Sequence, residues 1–379
     1  MPFDTDFVIT PTDLQDLERV VSTPQLETAL RLLLEGDFQS RWEATKRLPT
    51  FGKATIARLV PLLEDEDLDW EVRWFAARTL GNFNETEALE SLVQLIQQTD
   101  EPELITIAAE GLSHFGAKAV NALIQLFKNP AYRITAVQAL ASIRHKAALS
   151  PLLIAAEDAN PQVRTVAFSA LGHFRDARVD PLLMDAVKDP VAAVRQEAIT
   201  HLGLRPHLLA TVDLVSILQP GLWDVNPKVT EATAIALGRL GTESAIAVLA
   251  QVLQSAQTPE SLQRVIVRSL GWIDQEAALL ALLSVRVEVL MPVQLEIIET
   301  LTRFESNHLR QQAGEALCDW LGTCHQDPQS GSVKQAIALA LGDLHPPQAQ
   351  SLLQVLVQED DPQTALYAEA ALRQLEESA

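Results

Sequence analysis

The chain has few cysteines, few aromatic residues and few positive charges. Only two of its 379 residues are cysteine, Cys318 and Cys324, which excludes a disulfide framework and suggests a reducing compartment. Lys and Arg number 29 against 50 Asp and Glu, a formal net charge of −21 at pH 7. Because so negative a surface repels phosphate backbones and anionic lipids, the composition argues against binding to nucleic acid or membranes.

Signals for export, membrane insertion and catalysis are also missing from the sequence. The N-terminus, MPFDTDFVITPTDL, has neither a basic start nor an apolar stretch of signal-peptide length. No run of about eighteen apolar residues occurs, so no transmembrane helix is predicted. The nucleotide-binding, zinc-protease and nucleophile-elbow motifs are absent. The sequence therefore favours a cytoplasmic protein that is not an enzyme, and it predicts no catalytic residues.

What the chain has instead is a repeat of about thirty residues. A block of the form D-x-x-x-x-V-R-x-x-A-A-x-x-L-G occurs at 67–81, and close copies follow at 158–172 and 189–203. The leucine of the block recurs at intervals of 28 to 40 residues: Leu48, Leu80, Leu112, Leu140, Leu171, Leu202, Leu237, Leu270, Leu301, Leu341 and Leu372. An inserted loop near 322–332 explains the longest interval.

Each repeat has the pattern of a helical hairpin. Apolar residues fall at positions 0, +4, +5 and +8 from the valine, which is a helical stripe and not the alternation of a strand. Another apolar helix lies between blocks, as at 88–96 and 245–253. One hairpin cannot bury both of its stripes, so neighbours must stack. The sequence therefore predicts an all-α, right-handed α-solenoid of about ten to eleven hairpins over 31–379, after a capping segment at 1–30.

Recurring polar residues predict how the helices begin, end and are held together. An Asp at −5 and an Arg at +1 recur as a pair, and we expect them to form an ion-pair ladder within one turn or with the next repeat; the pairs are 67/73, 158/164 and 189/195. Asn or Asp before Pro predicts a helix start at 160/161, 189/190, 226/227 and 361/362. The glycine after the leucine is expected to close the helix.

At these residues the sequence resembles the HEAT family, in the short-repeat form also called the phycobilisome-lyase type. Tetratricopeptide and ankyrin signatures do not occur. Short HEAT-like proteins are common in cyanobacteria, and the resemblance implies two alternative functions. One is a HEAT-repeat partner of an A-type iron–sulfur carrier, with which it would share an iron–sulfur cluster. The other is a bilin lyase of the E/F type or a bilin-handling chaperone, with phycobilin as cofactor and a phycobiliprotein subunit as partner.

The resemblance also implies that the V-R helix lines the concave face, so its +2 and +6 positions map a surface for partners. In the first two repeats these positions hold Trp and a basic residue, whereas the middle repeats have mostly small polar residues. Trp and Arg are enriched at binding hot spots. The predicted partner-binding residues are Arg41, Trp42, Lys46, Trp74, Phe75 and Arg78. The alternative is that the tryptophans pack against the residues ahead of Phe38 as a cap.

Cys318, Cys324 and His325 are the candidate cofactor ligands. Thiolates beside an imidazole suit zinc or an iron–sulfur cluster, and a cluster shared by two proteins needs only one or two ligands from each. Their spacing is not the C-x-x-C of a typical zinc site, and a buried, inert thiol is the alternative for Cys318. We therefore predict a protein-binding adaptor, with an iron–sulfur carrier as one partner and the bilin function as the alternative.

Overall fold

The computed structural model describes residues 24–324 and 330–377, and this part of the chain contains helices and no strand. The α-helices are α1 (24–35), α2 (Phe38–Arg47), α3 (Ile56–Glu64), α4 (Trp70–Leu80), α5 (Thr86–Gln98), α6 (Pro102–His114), α7 (Val120–Lys128), α8 (Arg133–Ser142), α9 (Leu149–Ala155), α10 (Pro161–Leu171), α11 (Val179–Ala186), α12 (Ala192–Leu202), α13 (Leu214–Leu218), α14 (Pro227–Leu240), α15 (Glu243–Gln254), α16 (Glu260–Gly271), α17 (Glu276–Val285), α18 (Met291–Leu301), α19 (Asn307–Cys324), α20 (Gly331–Leu344), α21 (Ala349–Leu356) and α22 (Pro362–Glu377). Short 3₁₀ segments lie at Leu48–Thr55, Gly116–Ala119, Lys146–Ala148, Pro206–Ala210 and Gln219–Trp223.

The chain divides into two compact units, Met1–Arg175 and Asp176–Ala379. Odd-numbered helices are the first helices of the hairpins and even-numbered helices are the second. In the first unit the second helices α2, α4, α6, α8 and α10 pack one against the next. In the second unit α12, α14, α16, α18, α20 and α22 do the same. Each unit is therefore a stack of hairpins, which confirms the predicted α-solenoid.

The predicted number of repeats, capping segment and inserted loop can be compared with the positions of the helices. Over 24–377 the helices form eleven hairpins, within the predicted ten to eleven. The predicted end of the capping segment, between residues 30 and 31, falls inside α1, and residues 1–23 lie outside the described part. At the predicted loop near 322–332, residues 322–324 form the last turn of α19 and α20 already begins at Gly331. Residues 325–329 of the predicted loop lie outside the described part, so the extent of the loop stays a prediction.

The repeating leucine marks the core of every hairpin. From Leu48 to Leu341 its side chain has no exposed surface, and only Leu372, in the last helix, is partly exposed. The small residues that precede it, such as Ala76 and Ala77, are also fully buried. Complete burial of a leucine contributes about 2 kcal/mol through the hydrophobic effect. The helical stripe inferred from the sequence is therefore the stripe that packs.

The glycine after the leucine lets successive second helices approach closely. At Gly203 an added Cβ would lie 2.7 Å from Ala236, and at Gly238 it would lie 2.7 Å from the Cβ and 2.9 Å from the carbonyl oxygen of Ser269. The expectation that this glycine closes the helix is wrong for α14, which continues to Leu240 and ends at the left-handed Gly241 (φ 59°). Close packing on the next helix, and not the cap, requires glycine there.

Ion pairs connect each repeat to the following one. Arg195 donates from Nε and Nη2 to the two carboxylate oxygens of Asp224, at 2.7 and 2.8 Å. The same relation, from a basic +1 residue to the −5 acid of the next repeat, joins Arg133 to Asp158 (3.4 Å) and Lys334 to Glu359 (3.0 Å). The predicted ladder is therefore confirmed at Arg195, by the route between repeats, and it also includes Arg133 and Lys334, which were not predicted. At Arg73 the side chain instead donates to the carbonyl oxygen of Leu63 at 3.2 Å.

The same arginine and aspartate also order the loop that leads into each second helix. Arg195 Nη1 donates to the carbonyl oxygens of Asp189 and Pro190, at 2.7 and 3.0 Å. Asp224 accepts the backbone N–H of Asn226 at 2.9 Å. These bonds satisfy backbone groups that would otherwise lie unpaired beside a helix end.

Three of the four predicted Asn-Pro or Asp-Pro helix starts are confirmed. Asn160, Asn226 and Asp361 each accept a backbone N–H in the first turn of α10, α14 and α22. The start predicted at 189/190 is wrong, because α12 begins at Ala192 with Val191 as its N-cap. There the Asp189 carboxylate accepts the N–H of Val191 at 2.8 Å and so belongs to the loop.

Substitution of the packed glycine tests the close approach of the second helices. We expect Gly238→Ala to lower the free energy of unfolding by about 1–2 kcal/mol, because overpacking against the Ser269 backbone outweighs the gain in helix propensity. The matched control is Gly322→Ala in α19, where an added Cβ meets nothing within 4 Å; its stability should stay the same or rise by up to about 1 kcal/mol. Urea denaturation measures both. Equal stability of the two variants would contradict the packing argument.

Removal of one carboxylate tests the ladder. The hydrogen bonds from Arg195 hold the pKa of Asp224 below its ordinary value, so the pair stabilises the fold above a pH of about 4 and loses that effect as the pH falls through the folded pKa. We expect Asp224→Asn to cost about 1–3 kcal/mol at pH 7 and to reduce the loss of stability on acidification. Asp176→Asn, which removes the partner of the exposed Arg178, should lower the stability at pH 7 by much less, because water screens an exposed pair. Urea denaturation at pH 7 and in acid measures these changes. Equal losses of stability for the two variants at pH 7 would contradict a stabilising role of the ladder.

Candidate protein-binding site

The helices α2 and α4 bring the predicted docking residues together. Each begins at an aspartate that accepts a first-turn N–H: Asp37 from Ser40 at 2.8 Å and Asp69 from Glu71 at 3.1 Å. The two helices occupy the same place in consecutive repeats and pack directly on each other. Residues at equivalent positions of the repeat therefore lie side by side on one surface, which we call the second-helix face.

Two tryptophans, a phenylalanine and an arginine meet on this face, and we call Phe38, Trp42, Trp74 and Arg78 the tryptophan–arginine cluster. The guanidinium carbon of Arg78 lies 4.5 Å from the ring centre of Trp42 and 5.5 Å from that of Trp74. The ring of Phe38 stacks on that of Trp42, with centres 6.1 Å apart and an angle of 16°. Both indoles are thus within the range of cation–π attraction, and Arg78 joins the two repeats.

The charge of Arg78 has no acidic partner in the described part of the chain. The contacts of its guanidinium are with the two indole rings. A guanidinium whose neighbours are aromatic rings keeps N–H groups available for hydrogen bonds to other acceptors. Arg78 therefore differs from Arg41, Arg133 and Arg195, each of which pairs with a carboxylate.

The other predicted docking residues have different surroundings. Phe75 is fully buried and forms the floor of the cluster, with its ring centre 5.0 Å from Trp74 and 5.4 Å from Phe38. Arg41 is buried and forms ion pairs with Glu71 and with Asp69, the latter at 3.7 Å. The structure therefore places these two beneath the surface that a partner could touch.

In the structure Lys46, a predicted docking residue, lies apart from the cluster, whereas Phe38, which was not predicted, belongs to it. Lys46 is exposed and pairs with Glu43 of its own helix at 2.9 Å, so no contact joins it to the cluster. Phe38, 58 % exposed, belongs to the cluster although it was not predicted as a docking residue. Its position four residues before Trp42 was the available signal, because residues at i and i+4 share a helix face.

The capping alternative concerns the residues before Phe38, of which the structure describes those from 24 onward. Here the observed link to α2 is made by the buried Arg41, whose Nη2 lies 3.5 Å from the carbonyl oxygen of Leu34. The ring contacts of Trp42 are with Phe38 and Arg78. Both the docking and the capping interpretation of the tryptophans stay predictions.

The two cysteines lie on α19. Cys318 is buried, and burial together with the neighbouring Asp319 and Glu315 raises the pKa of its thiol to about 11. Cys324 is half-buried at the end of the helix, and His325 lies outside the described residues. A separation of six residues puts the two cysteines about 9 Å apart along the helix axis and on different faces. The helix therefore does not bring both thiols to one ion.

Two further features are absent from the described residues. No group of three or more His, Cys, Asp or Glu side chains there is placed to hold a metal ion. Of the helices in the same residues, none is both long and apolar enough to cross a membrane.

Comparison with known proteins identifies the family. Models of HEAT repeats match residues 26–113, 120–203 and 185–271, which is more than half of the chain. The protein belongs to the HEAT-repeat family. HEAT-repeat solenoids are typical of protein-binding scaffolds, which use their extended surfaces to hold partners. No curated protein matches the chain.

Solved structures with a similar fold include nuclear transport receptors. Importin beta matches with 15 % identity and a TM-score of 0.62, over 93 % of this chain and 56 % of that one. Kap95p, from a structure of its binding to RanGDP, matches with 14 % identity and a TM-score of 0.64, over 94 % of this chain and 55 % of that one. The present chain thus spans about half the length of these proteins, and at such low identity the likeness shows the fold alone.

The reactivity of Cys318 checks its burial. In a Cys324→Ser variant, we expect iodoacetamide at pH 8 to modify Cys318 at least about 100-fold more slowly in the folded protein than in urea, because a thiol with a pKa of about 11 is almost entirely protonated there. The folded rate should continue to rise with pH up to about 10. Mass spectrometry follows the modification. Equal rates in the folded and unfolded protein would show that the thiol is neither buried nor shifted.

Proposed function

We propose that this protein is an adaptor whose partner protein docks on the tryptophan–arginine cluster. The observation that carries the proposal is the guanidinium of Arg78, which lies between two indoles of adjacent repeats and has no acidic partner among the described residues. Tryptophan and arginine dominate binding hot spots, where large apolar area and a directed charge act together.

The surroundings of the cluster support a docking role in two ways. The buried Phe75 beneath it contacts both the exposed Phe38 and the half-buried Trp74, so these rings rest on the core and lose little freedom on binding. Phe38 and the nearby Trp70 are 58 % and 49 % exposed. Exposed aromatic side chains that gather at one place mark interaction surfaces.

The resemblance to cyanobacterial HEAT-like proteins suggests an A-type iron–sulfur carrier as the partner. Docking on the cluster does not require a thiol of this chain. The raised pKa of Cys318 makes it a poor ligand at neutral pH, because metals bind the thiolate. In this proposal the carrier holds the iron–sulfur cluster, and this protein provides the docking surface.

A bilin-handling function is the second candidate, and the same geometry favours it. A linear tetrapyrrole is flat and carries two propionates. Trp42 and Trp74 give the surface aromatic area, and the N–H groups of Arg78 suit a carboxylate. The two candidate functions therefore use the same site and differ in what binds there, a partner protein or a bilin.

Removal of the two indoles tests the docking surface. A tagged protein is purified from its native host, and the co-purified proteins are quantified by mass spectrometry. We expect the amount of co-purified partner to fall at least about tenfold in the double variant Trp42→Ala with Trp74→Ala, because each hot-spot tryptophan contributes about 2 kcal/mol or more. Trp223→Ala is the matched control, since Trp223 is 58 % exposed but lies in the second unit. Thermal unfolding of all variants checks that the fold is intact.

The absorbance spectrum of the purified complex separates the two candidates. An iron–sulfur carrier in the eluate, with the broad visible absorbance of its cluster, supports the adaptor. A bilin spectrum, lost in the double variant, supports the second candidate. Capture that is unchanged by the double variant would contradict docking on the cluster for both.

A further inference from the structure

A groove of about 480 Å³ lies on the second-helix face of the second unit, between α18, α20 and α22. Its apolar lining comes from all three helices: Leu295, Ile298, Ala336, Leu339, Ala340 and Tyr367. Leu339 is 42 % exposed, and Leu366, beside Tyr367 in α22, is 64 % exposed. Large apolar side chains gathered in an open groove are a feature of binding surfaces and not of an ordinary solvated helix face.

The apolar surface is particular to these repeats. Leu339 is the +6 residue of α20, and Leu366 is the +2 residue of α22. In α12, at the other end of the same unit, the corresponding residues are Thr200 and Gln196. The stacking of the helices does not require leucine at these positions, since α12 packs on α14 without it.

The groove has an acidic rim. Its lining includes Glu299 and Asp343 and no Lys or Arg. The Glu299 side chain is 65 % exposed and contacts Arg303, in the turn after α18, at 2.5 Å, and Asp343 accepts a hydrogen bond from Gln374 at 2.6 Å. Residues 291–379 contain 4 Lys or Arg and 13 Asp or Glu, a net charge of −9. This excess attracts a positively charged partner.

The walls of the groove are held in place by contacts between repeats. Lys334 of α20 pairs with Glu359, which leads into α22, at 3.0 Å. An added Cβ at Gly342 would lie 3.2 Å from Ala371 of α22, so these helices are in close contact. Among the described residues, the phenolic oxygen of Tyr367 has no hydrogen-bond partner. The groove is therefore preformed, and the phenolic hydroxyl of Tyr367 is available for a hydrogen bond beside its apolar floor.

We infer that this groove binds an amphipathic helix of a partner protein, with apolar side chains at i, i+3, i+4 and i+7 and with Lys or Arg along both edges of that stripe. Apolar grooves between helices take helical segments in this way. The apolar stripe covers Leu339 and Tyr367, and the basic edges face Glu299 and Asp343. The site is independent of the tryptophan–arginine cluster, which lies in the other unit.

Two fluorescein-labelled peptides of about eighteen residues test the inference on the full-length protein. One consists of Leu, Ala and Lys with the helical spacing above, and the other has Glu in place of each Lys. Fluorescence anisotropy should show that the Lys peptide binds at least about tenfold more tightly and that its affinity falls as salt is added. Equal binding of the two peptides would overturn the inference.

Variants locate the binding. We expect Leu339→Gln to weaken the Lys peptide about tenfold, as the loss of a central apolar contact does. Leu280→Gln is the matched control, because Leu280 is 57 % exposed but lies on α17, the first helix of its hairpin, which does not line the groove. This variant should change the affinity less than twofold. The pair Glu299→Gln with Asp343→Asn should weaken the Lys peptide and reduce its salt dependence.

The same titration separates this inference from the proposed function. Trp42→Ala with Trp74→Ala should leave the affinity for the Lys peptide unchanged, because both residues lie in the first unit. If Leu339→Gln and Leu280→Gln weaken binding equally, or if neither does, the peptide is held by general charge attraction and the groove is not its site.

Discussion

The stack of second helices is the contact on which this protein depends, because no single hairpin can bury its own apolar stripes. The leucine that recurs from Leu48 to Leu341 is fully buried in that contact. Glycine at positions such as 203 and 238 brings the helices close enough for their backbones nearly to touch. The ion pairs of Arg195 and its counterparts then connect one repeat to the next. Each of these features serves the same interface.

Because the interface repeats, it also determines what the surface can display. Equivalent positions of successive second helices lie side by side, so a residue type that occurs twice in register forms a patch. Trp42 and Trp74 are such a pair, and Arg78 lies between them. Leu339 and Tyr367 form the apolar part of another patch in the second unit. The core needs none of these side chains, and this is why we assign them to partners.

The distribution of charge also separates the residues that connect repeats from the residues that we assign to partners. Most of the arginines at the +1 position are paired with an acid of the next repeat or donate to carbonyl groups of the loop before their helix, as at Arg195 and Arg164. Arg78 is held instead by aromatic rings. The last repeats have the opposite character, with 13 acidic and 4 basic residues over 291–379. The two surfaces therefore suit partner groups of opposite sign.

The sequence by itself determined the fold class, the number of repeats, three helix starts at Asn-Pro or Asp-Pro and the identity of the buried stripe, because each of these depends on local spacing within one repeat. It also indicated Trp42, Trp74 and Arg78, since their register follows from the repeat. Only the tertiary structure decided that Phe75 and Arg41 are buried, that Phe38 joins the cluster, that the ladder runs between repeats and that Gly238 serves packing and not a cap. These depend on the distance between neighbouring helices, which the pattern within one repeat does not contain. The groove of the second unit depends on three helices at once, so only the structure could show it.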